Sequence, residues 1–223
     1  MNRIPEPELM ETEAQALAYA EANFEEPHNR CIELFRESFP DLAVSGYVVD
    51  LGCGPGDITR RFARAYPRAA VHGVDGSATM LASGEKQMRR EPELRDRVVL
   101  VYGYLPGAPM PRERYDAVIC NSLLHHLADP QVLWEAVRRF ALPGAPVFAM
   151  DLMRPPTEEI ARQMTDTYAA GEPEVLRRDF YNSLLAAYTP AEVRAQIEEA
   201  GLGYLEVREV SDRHLVVRGT MAR

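Results

Sequence analysis

The stretch VVDLGCGPGDIT, Val48 to Thr59, decides the fold because it joins a buried strand to a helix through glycines. Val48, Val49 and Leu51 form the short apolar run that is typical of a strand covered on both faces. Asp50 interrupts this run near its carboxyl end. An acid at that place, next to a glycine-rich turn, indicates a ligand site.

The glycines of this stretch have the spacing GxGxG. Gly52, Gly54 and Gly56 let the backbone turn tightly and approach a ligand closely, and the helix that follows presents free amide groups. A dinucleotide fingerprint, GxGxxG, would need Gly or Ala three positions after Gly54, where this chain has Asp57. An acid there would repel a pyrophosphate on the helix N-terminus, so NAD and FAD are disfavoured.

A second buried-strand pattern, VHGVDGS, covers Val71 to Ser77 and contains Asp75. A carboxylate at the end of this strand can accept hydrogen bonds from both hydroxyls of a ribose. A nucleoside without a diphosphate therefore fits both the glycine loop and the second acid.

At these residues the chain resembles the class I S-adenosylmethionine-dependent methyltransferases, a Rossmann-like family with a similar first motif and an acid ending its second strand. YDAVICNSLLHHLADP, Tyr115 to Pro130, resembles the family's fourth-strand motif, and APVFAMDL, Ala145 to Leu152, resembles its fifth. The resemblance covers about Tyr47 to Thr220. It implies that the cofactor is S-adenosyl-L-methionine and that the activity is methyl transfer to a small-molecule acceptor by in-line displacement.

The order of strand and helix patterns predicts an α/β fold. We expect a doubly wound, mostly parallel seven-stranded sheet with helices on both faces and a C-terminal antiparallel hairpin. A chain of 223 residues has the usual size of one domain. Within it we expect an N-terminal helical cap segment (1–45), a cofactor-binding core (46–152), a cap insertion (153–188) and a C-terminal helix and hairpin (189–223).

Composition limits the partners. The net charge of −9 repels polyanions, so nucleic acid is not an expected substrate. No apolar run is long enough to cross a bilayer, and the first residues lack the pattern of a signal peptide. We therefore expect a cytoplasmic protein that acts on a small molecule without membrane contact. A homodimer remains open.

The predicted cofactor contacts come from the glycine loop, the second strand and the two segments that follow the third and fourth strands. The family often has an acid after its third strand to bind adenine, but here the stretch reads VYGYLPGAP, Val101 to Pro109. Backbone atoms or a stacked Tyr104 would replace that acid. The predicted cofactor-binding residues are Asp50, Gly52, Cys53, Gly54, Gly56, Asp75, Gly76, Met80, Tyr104 and Asn121.

Catalytic candidates are His125 and His126, because a neutral imidazole can take a proton from a hydroxyl or an amine. The alternative for both is a structural role. We expect no metal site, since adjacent histidines on a strand or helix project in different directions. Substrate contacts are predicted for Tyr19, Arg30 and Tyr181, which lie in the two cap segments.

Two other functions compete with small-molecule methylation. One is methylation of tRNA or another nucleic acid, which a local arginine-rich face would permit despite the net charge. The other is a regulatory protein that binds the cofactor without catalysis. The missing adenine acid and the lack of an unambiguous base favour this second alternative.

Overall fold

The computed structural model describes residues 1–6 and 25–223, and one seven-stranded sheet organises them. The strands are β1 (Gly46–Leu51), β2 (Ala69–Asp75), β3 (Val98–Tyr102), β4 (Ala117–Asn121), β5 (Pro146–Leu152), β6 (Glu206–Glu209) and β7 (His214–Thr220). The helices are α1 (Glu25–Ser38), α2 (Asp57–Ala65), α3 (Ala78–Met88), α4 (Gln131–Phe140), α5 (Glu158–Tyr168), α6 (Glu174–Ala186) and α7 (Pro190–Glu199). Two short 3-10 helices cover Pro92–Leu94 and Leu124–His126.

The strand order is β3-β2-β1-β4-β5-β7-β6. Strands β1 to β5 pair in parallel, while β7 is antiparallel to both of its neighbours, β5 and β6. This arrangement confirms the predicted fold class. The order reverses between β1 and β4, and in such sheets a ligand crevice opens at the carboxyl ends of the strands beside the reversal.

Helices cover both faces of the sheet, as predicted. Val48 belongs to an apolar cluster with α1 and α2, whereas Val49 and Leu51 belong to another with α4 and α7. Consecutive residues of one strand thus enter different layers, which explains why β1 is apolar on both faces.

Helix α1 is fixed on the sheet by aromatic packing. The Phe35 ring lies tilted to the Phe39 ring, with 5.1 Å between centroids. It also stands edge-on to three rings, at centroid distances of 4.9 Å from Phe62, 5.6 Å from Tyr66 and 5.7 Å from Phe148. These edge-on contacts bury Phe35 to 1% exposure. They fix the last turns of α1 on the sheet, while His28 near its start lies 2.6 Å from Asp57 at the beginning of α2.

The segment predicted as a cap insertion forms α5 and α6. These helices share a small apolar cluster with the end of β5, to which Leu152, Ala161 and Leu184 belong. The first residues of the chain bind here too, since the Ile4 amide donates to the Leu185 carbonyl at 3.0 Å. In the described residues no helix has both the length and the apolar character that a membrane span needs.

We predict that Phe35→Ala lowers the free energy of unfolding by about 3 to 5 kcal/mol, because it leaves a cavity among four aromatic rings. Urea denaturation measures this change. The control is Leu42→Ala, since Leu42 is 38% exposed and its loss should change stability by less than about 0.5 kcal/mol. Equal effects of the two substitutions would show that α1 is not anchored through Phe35.

Candidate active site

A cleft opens at the carboxyl ends of β1, β2 and β4, beside the reversal of strand order. All but one of the predicted cofactor residues line it: Asp50, Gly52, Cys53, Gly54, Asp75, Gly76, Met80, Tyr104 and Asn121. The wall continues through residues that include His28, Ser122, Leu123, His126, Leu127 and Val132. The cleft thus joins the glycine loop to the segment after β4.

The glycine loop is shaped by left-handed backbone at its glycines, with φ of +70° at Gly52 and +53° at Gly54. A Cβ atom at Gly52 would lie 2.7 Å from Leu123, so the site excludes any side chain there. A Cβ atom at Gly54 would meet nothing within 4 Å. The space beside Gly54 is therefore open for a ligand to approach the backbone.

Gly56 is the exception among the predicted cofactor residues. It does not line the cleft, and its left-handed φ of +72° instead turns the chain into α2. Its amide donates to the Cys53 carbonyl at 2.8 Å. The cofactor contact of Gly56 stays a prediction, and in the structure this residue closes the loop.

Asp75 fixes the loop with both of its carboxylate oxygens. Oδ2 accepts a hydrogen bond from the Gly54 amide and Oδ1 accepts one from the Ser77 amide, both at 2.8 Å. Burial raises the pKa of Asp75, and these two N–H donors oppose the shift. Each oxygen keeps a lone pair, so the carboxylate can still accept hydrogen bonds from two ligand hydroxyls.

Asp50 is a buried acid at the end of β1, 1% exposed. It accepts a hydrogen bond from the Thr59 hydroxyl at 2.6 Å. Burial raises the pKa of Asp50 to about 7, and the charge of Asp75 adds to the shift. A cation bound in the cleft would stabilise the ionised form of Asp50.

Asp57 differs from these two acids because it is already paired. Its carboxylate is 2.6 Å from both His28 Nδ1 and Arg61 Nε, and 3.3 Å from Arg60 Nη2. Burial alone would raise the pKa of Asp57, but the hydrogen bonds from His28 and Arg61 lower it below its usual range. Asp57 therefore joins α1 to α2 and leaves Asp50 and Asp75 as the acids for a ligand.

The wall on the β3 side carries Met80 and Tyr104. Tyr104 is 57% exposed, and its ring stands edge-on to Tyr102 with 5.8 Å between centroids. No acid from the stretch after β3 lines this part of the cleft among the described residues. Adenine stacking by Tyr104 remains a prediction that this position supports.

His125 and His126 lie in the 3-10 helix after β4, and their ring centroids are 4.2 Å apart. The expectation that the two side chains point apart is wrong, because the tight turn brings the rings together. His126 lines the cleft, whereas His125 is 3% exposed and does not. His125 Nδ1 instead lies 2.5 Å from Asp151 Oδ1, so His125 is placed to position its neighbour rather than to contact a ligand in the cleft.

Glu6 completes this group. Its Oε1 atom is 3.2 Å from His126 Nδ1 and 3.6 Å from His125 Nε2, and it accepts a hydrogen bond from the Ser183 hydroxyl at 3.0 Å. We refer to Glu6, His125 and His126 as the histidine cluster. No sequence pattern marks Glu6, which lies far from the histidines along the chain. Asp151, in contrast, is an acid within an apolar strand, as Asp50 is. This pattern in the sequence could have marked Asp151 as a candidate site residue.

The predicted substrate residues do not meet in the cleft. Arg30 binds Glu37 at 2.7 Å and Glu33 at 3.3 Å on the outer face of α1, and it is absent from the wall. Tyr181 packs with the α5 and α6 cluster and is absent from the wall as well. The structure therefore does not support substrate contacts by either residue, and Tyr19 lies outside the described residues.

A sheet of this topology, with a glycine loop and the acids Asp50 and Asp75 at its strand ends, is suited to bind a nucleoside cofactor in its crevice. Residues 49–147 match the family model described as "Methyltransferase domain". Residues 49–147 are less than half of the chain, and over this part the chain is similar to methyltransferases. S-adenosyl-L-methionine is a cation whose ribose hydroxyls would suit Asp75 and whose positive groups would suit Asp50.

Sequence relatives cover part of the chain. Trans-aconitate 2-methyltransferase of Klebsiella pneumoniae (strain 342) is 33% identical over 122 residues, which are 54% of this chain and 45% of that protein. The chain thus spans about half the length of the curated relatives that it matches.

Solved structures share the fold over nearly the whole chain. A SAM dependent methyltransferase from Aquifex aeolicus has a TM-score of 0.69 at 16% identity, covering 95% of this chain and 99% of that one. The plantazolicin methyltransferase BpumL, solved with SAH and a monoazolic desmethylPZN analog, has a TM-score of 0.68 at 13% identity, covering 94% and 90%.

We predict that Asp75→Asn weakens S-adenosylmethionine binding by about 10- to 100-fold, because an amide cannot accept from the loop and the ribose as a carboxylate does. Isothermal calorimetry measures the affinity. Asp116→Asn is the matched control, since Asp116 also accepts a backbone hydrogen bond, from Tyr47 at 2.7 Å, but lies outside the cleft. Equal affinities of the Asp75→Asn variant and the unmodified protein would remove Asp75 from the cofactor site.

We predict that cofactor affinity rises about tenfold between pH 6 and pH 8, because the bound cation favours the ionised form of Asp50. The raised pKa of Asp50 also means that its contribution to folding stability is present at low pH and is lost as pH rises through about 7. Asp50→Asn should therefore flatten the pH dependence of binding and raise the unfolding free energy at pH 8 by about 1 to 3 kcal/mol. Calorimetry and urea denaturation across this pH range check both effects, and a steep pH profile in the variant would assign the titration to another group.

Proposed function

We propose that the chain transfers a methyl group from S-adenosylmethionine to a small-molecule acceptor. The observation that carries this proposal is the continuity of the cleft, which reaches from Asp75 at the cofactor end to His126 at the other. When bound, the cofactor supplies an electrophilic methyl group, and an acceptor lone pair forms the new bond while the electrons of the old bond stay on sulfur.

The protein contributes mainly alignment and exclusion of water in such a displacement. Leu123, Leu127 and Val132 give the cleft an apolar wall next to His126. This wall would hold the acceptor's carbon skeleton and leave its hydroxyl or amine to face the polar end.

The acceptor's proton would be received at the histidine cluster. His126 lies in the wall and offers an imidazole, which can take a proton near neutral pH. The His125 ring packs against His126, with 4.2 Å between centroids. Asp151 and Glu6 fix the His125 ring through its two nitrogens. We propose His126 as the residue nearest the acceptor and His125 as a positioning residue.

Charge limits the acceptor class. The described wall of the cleft contains no Lys or Arg, and the sequence of residues 7–24 contains neither. The Arg3 guanidinium lies beside the histidine cluster. It donates hydrogen bonds to the carbonyls of Ala186, His125 and Leu127. A polyanion would meet Asp50 and Asp75 without a counter-charge. We therefore propose a neutral or cationic acceptor, unlike the trans-aconitate named for the sequence relatives.

We predict that S-adenosylmethionine raises the melting temperature of the protein and that NAD does not, because only a ligand that binds the folded state stabilises it. The acceptor test incubates the protein with S-adenosylmethionine and a panel of small alcohols, phenols and amines, and measures release of the demethylated cofactor. Trans-aconitate is the matched anionic compound, and it should give no release above background. Turnover of trans-aconitate at a rate equal to the best neutral compound would contradict the proposed acceptor class.

A further inference from the structure

We propose that the histidine cluster binds a divalent transition-metal ion of the zinc and cobalt type, held by two imidazoles and one carboxylate. The three side chains are Glu6, His125 and His126, and their ligand atoms all lie within 4.8 Å of one another. Two imidazoles and a carboxylate are a common ligand set for such ions when one or more coordination positions stay open. The expectation of no metal site depended on the two rings pointing apart, which they do not.

The distances within the cluster fit an ion at its centre. Glu6 Oε1 lies 3.2 Å from His126 Nδ1 and 3.6 Å from His125 Nε2. Ligands about 2.1 Å from a tetrahedral zinc ion are separated from each other by about 3.4 Å. The cluster can therefore accept an ion with small side-chain movements.

Neighbouring groups orient two of the ligands. Asp151 Oδ1 lies 2.5 Å from His125 Nδ1, so the opposite nitrogen, Nε2, is the one directed at Glu6. Asp151 is itself held by the Leu124 amide, which donates to its Oδ2 at 2.7 Å. A carboxylate behind a ligating histidine is the usual arrangement at protein metal sites, because it fixes the ring and increases its basicity. The Ser183 hydroxyl holds Glu6 in a similar way.

Burial and charge also favour a cation. The side chains of Glu6 and Asp151 are only 10% and 3% exposed, so two carboxylates share a space with little water. Arg3 lies near, but its guanidinium hydrogen-bonds to main-chain carbonyls, including that of His125. A divalent ion would balance the two acids, and buried charges are stable when they are paired or bind a metal.

The location of the histidine cluster beside the cleft suggests a catalytic role for the ion. His126 lies in the wall of the cleft, so the ion would border the acceptor end. There it would polarise an acceptor oxygen or nitrogen and favour loss of its proton, and His126, as a ligand of the ion, would then orient the ion instead of acting as the base. This use depends on the proposed methyl transfer, whereas binding of the ion does not.

The test uses tag-free protein that has been stripped with a chelator and dialysed, without cofactor or acceptor. Titration with Co²⁺ is followed by visible absorption, and titration with Zn²⁺ by calorimetry. We expect one equivalent of each ion to bind and the Co²⁺ complex to show ligand-field bands. Glu6→Gln and His126→Asn should each weaken binding at least tenfold, because each removes a ligand.

Glu159→Gln is the matched control, since Glu159 is an exposed glutamate of α5 outside the cluster, and it should bind both ions as the unmodified protein does. Circular dichroism and S-adenosylmethionine calorimetry on each variant show that it is folded and that the cofactor site is intact. Absence of saturable binding by the unmodified protein would overturn the metal site and leave the proposed methyl transfer standing. Binding that Glu6→Gln and His126→Asn leave unchanged would overturn it as well, because the ion would then lie elsewhere.

Discussion

The carboxylate of Asp75 receives the amide of Gly54 on one oxygen and the amide of Ser77 on the other. These two bonds join the loop after β1 to the start of α3 after β2, and the floor of the cleft is the surface between them. The close approach of the two segments also depends on Gly73, where a Cβ atom would lie 2.8 Å from Cys53. Because Gly73 has no side chain, the loop packs closely against β2. The hydrogen bond from the Gly54 amide to Asp75 then fixes the loop in this position.

Most of the fold could be predicted because its signals are local. Buried strands read as short apolar runs, and the residues that cap helices lie next to those helices in the sequence, as Ser77 and Thr189 do. The hairpin around residues 211–213 and the five parallel strands have the expected order. The cofactor end of the cleft was predictable for the same reason, since Asp50, Asp75 and the glycines sit at strand ends whose position in the sheet is set by topology.

The acceptor end could not be predicted, because it depends on contacts between segments far apart in the chain. Glu6 reaches the histidines only through the folded arrangement of α6, and no local pattern marks it. Arg30 lies outside the cleft wall for a different reason, since two acids on its own helix, Glu33 and Glu37, bind its guanidinium. The two histidines were expected to diverge because a helix or strand was assumed, whereas a 3-10 turn brings their rings together.

Several acids that the structure buries lie at one edge of the sheet, where the parallel strands have their carboxyl ends. Asp50, Asp75 and Asp151 end β1, β2 and β5 or lie one residue before their ends, and Glu6 joins them from the start of the chain. Burial raises the pKa of Asp50, Asp75 and Glu6, whereas the His125 imidazole lowers the pKa of Asp151. Each cation that binds at this edge relieves part of the cost of burying these charges, and each anion increases it. Selection among ligands by charge therefore follows from where the strands end, before any single contact with an acceptor is made.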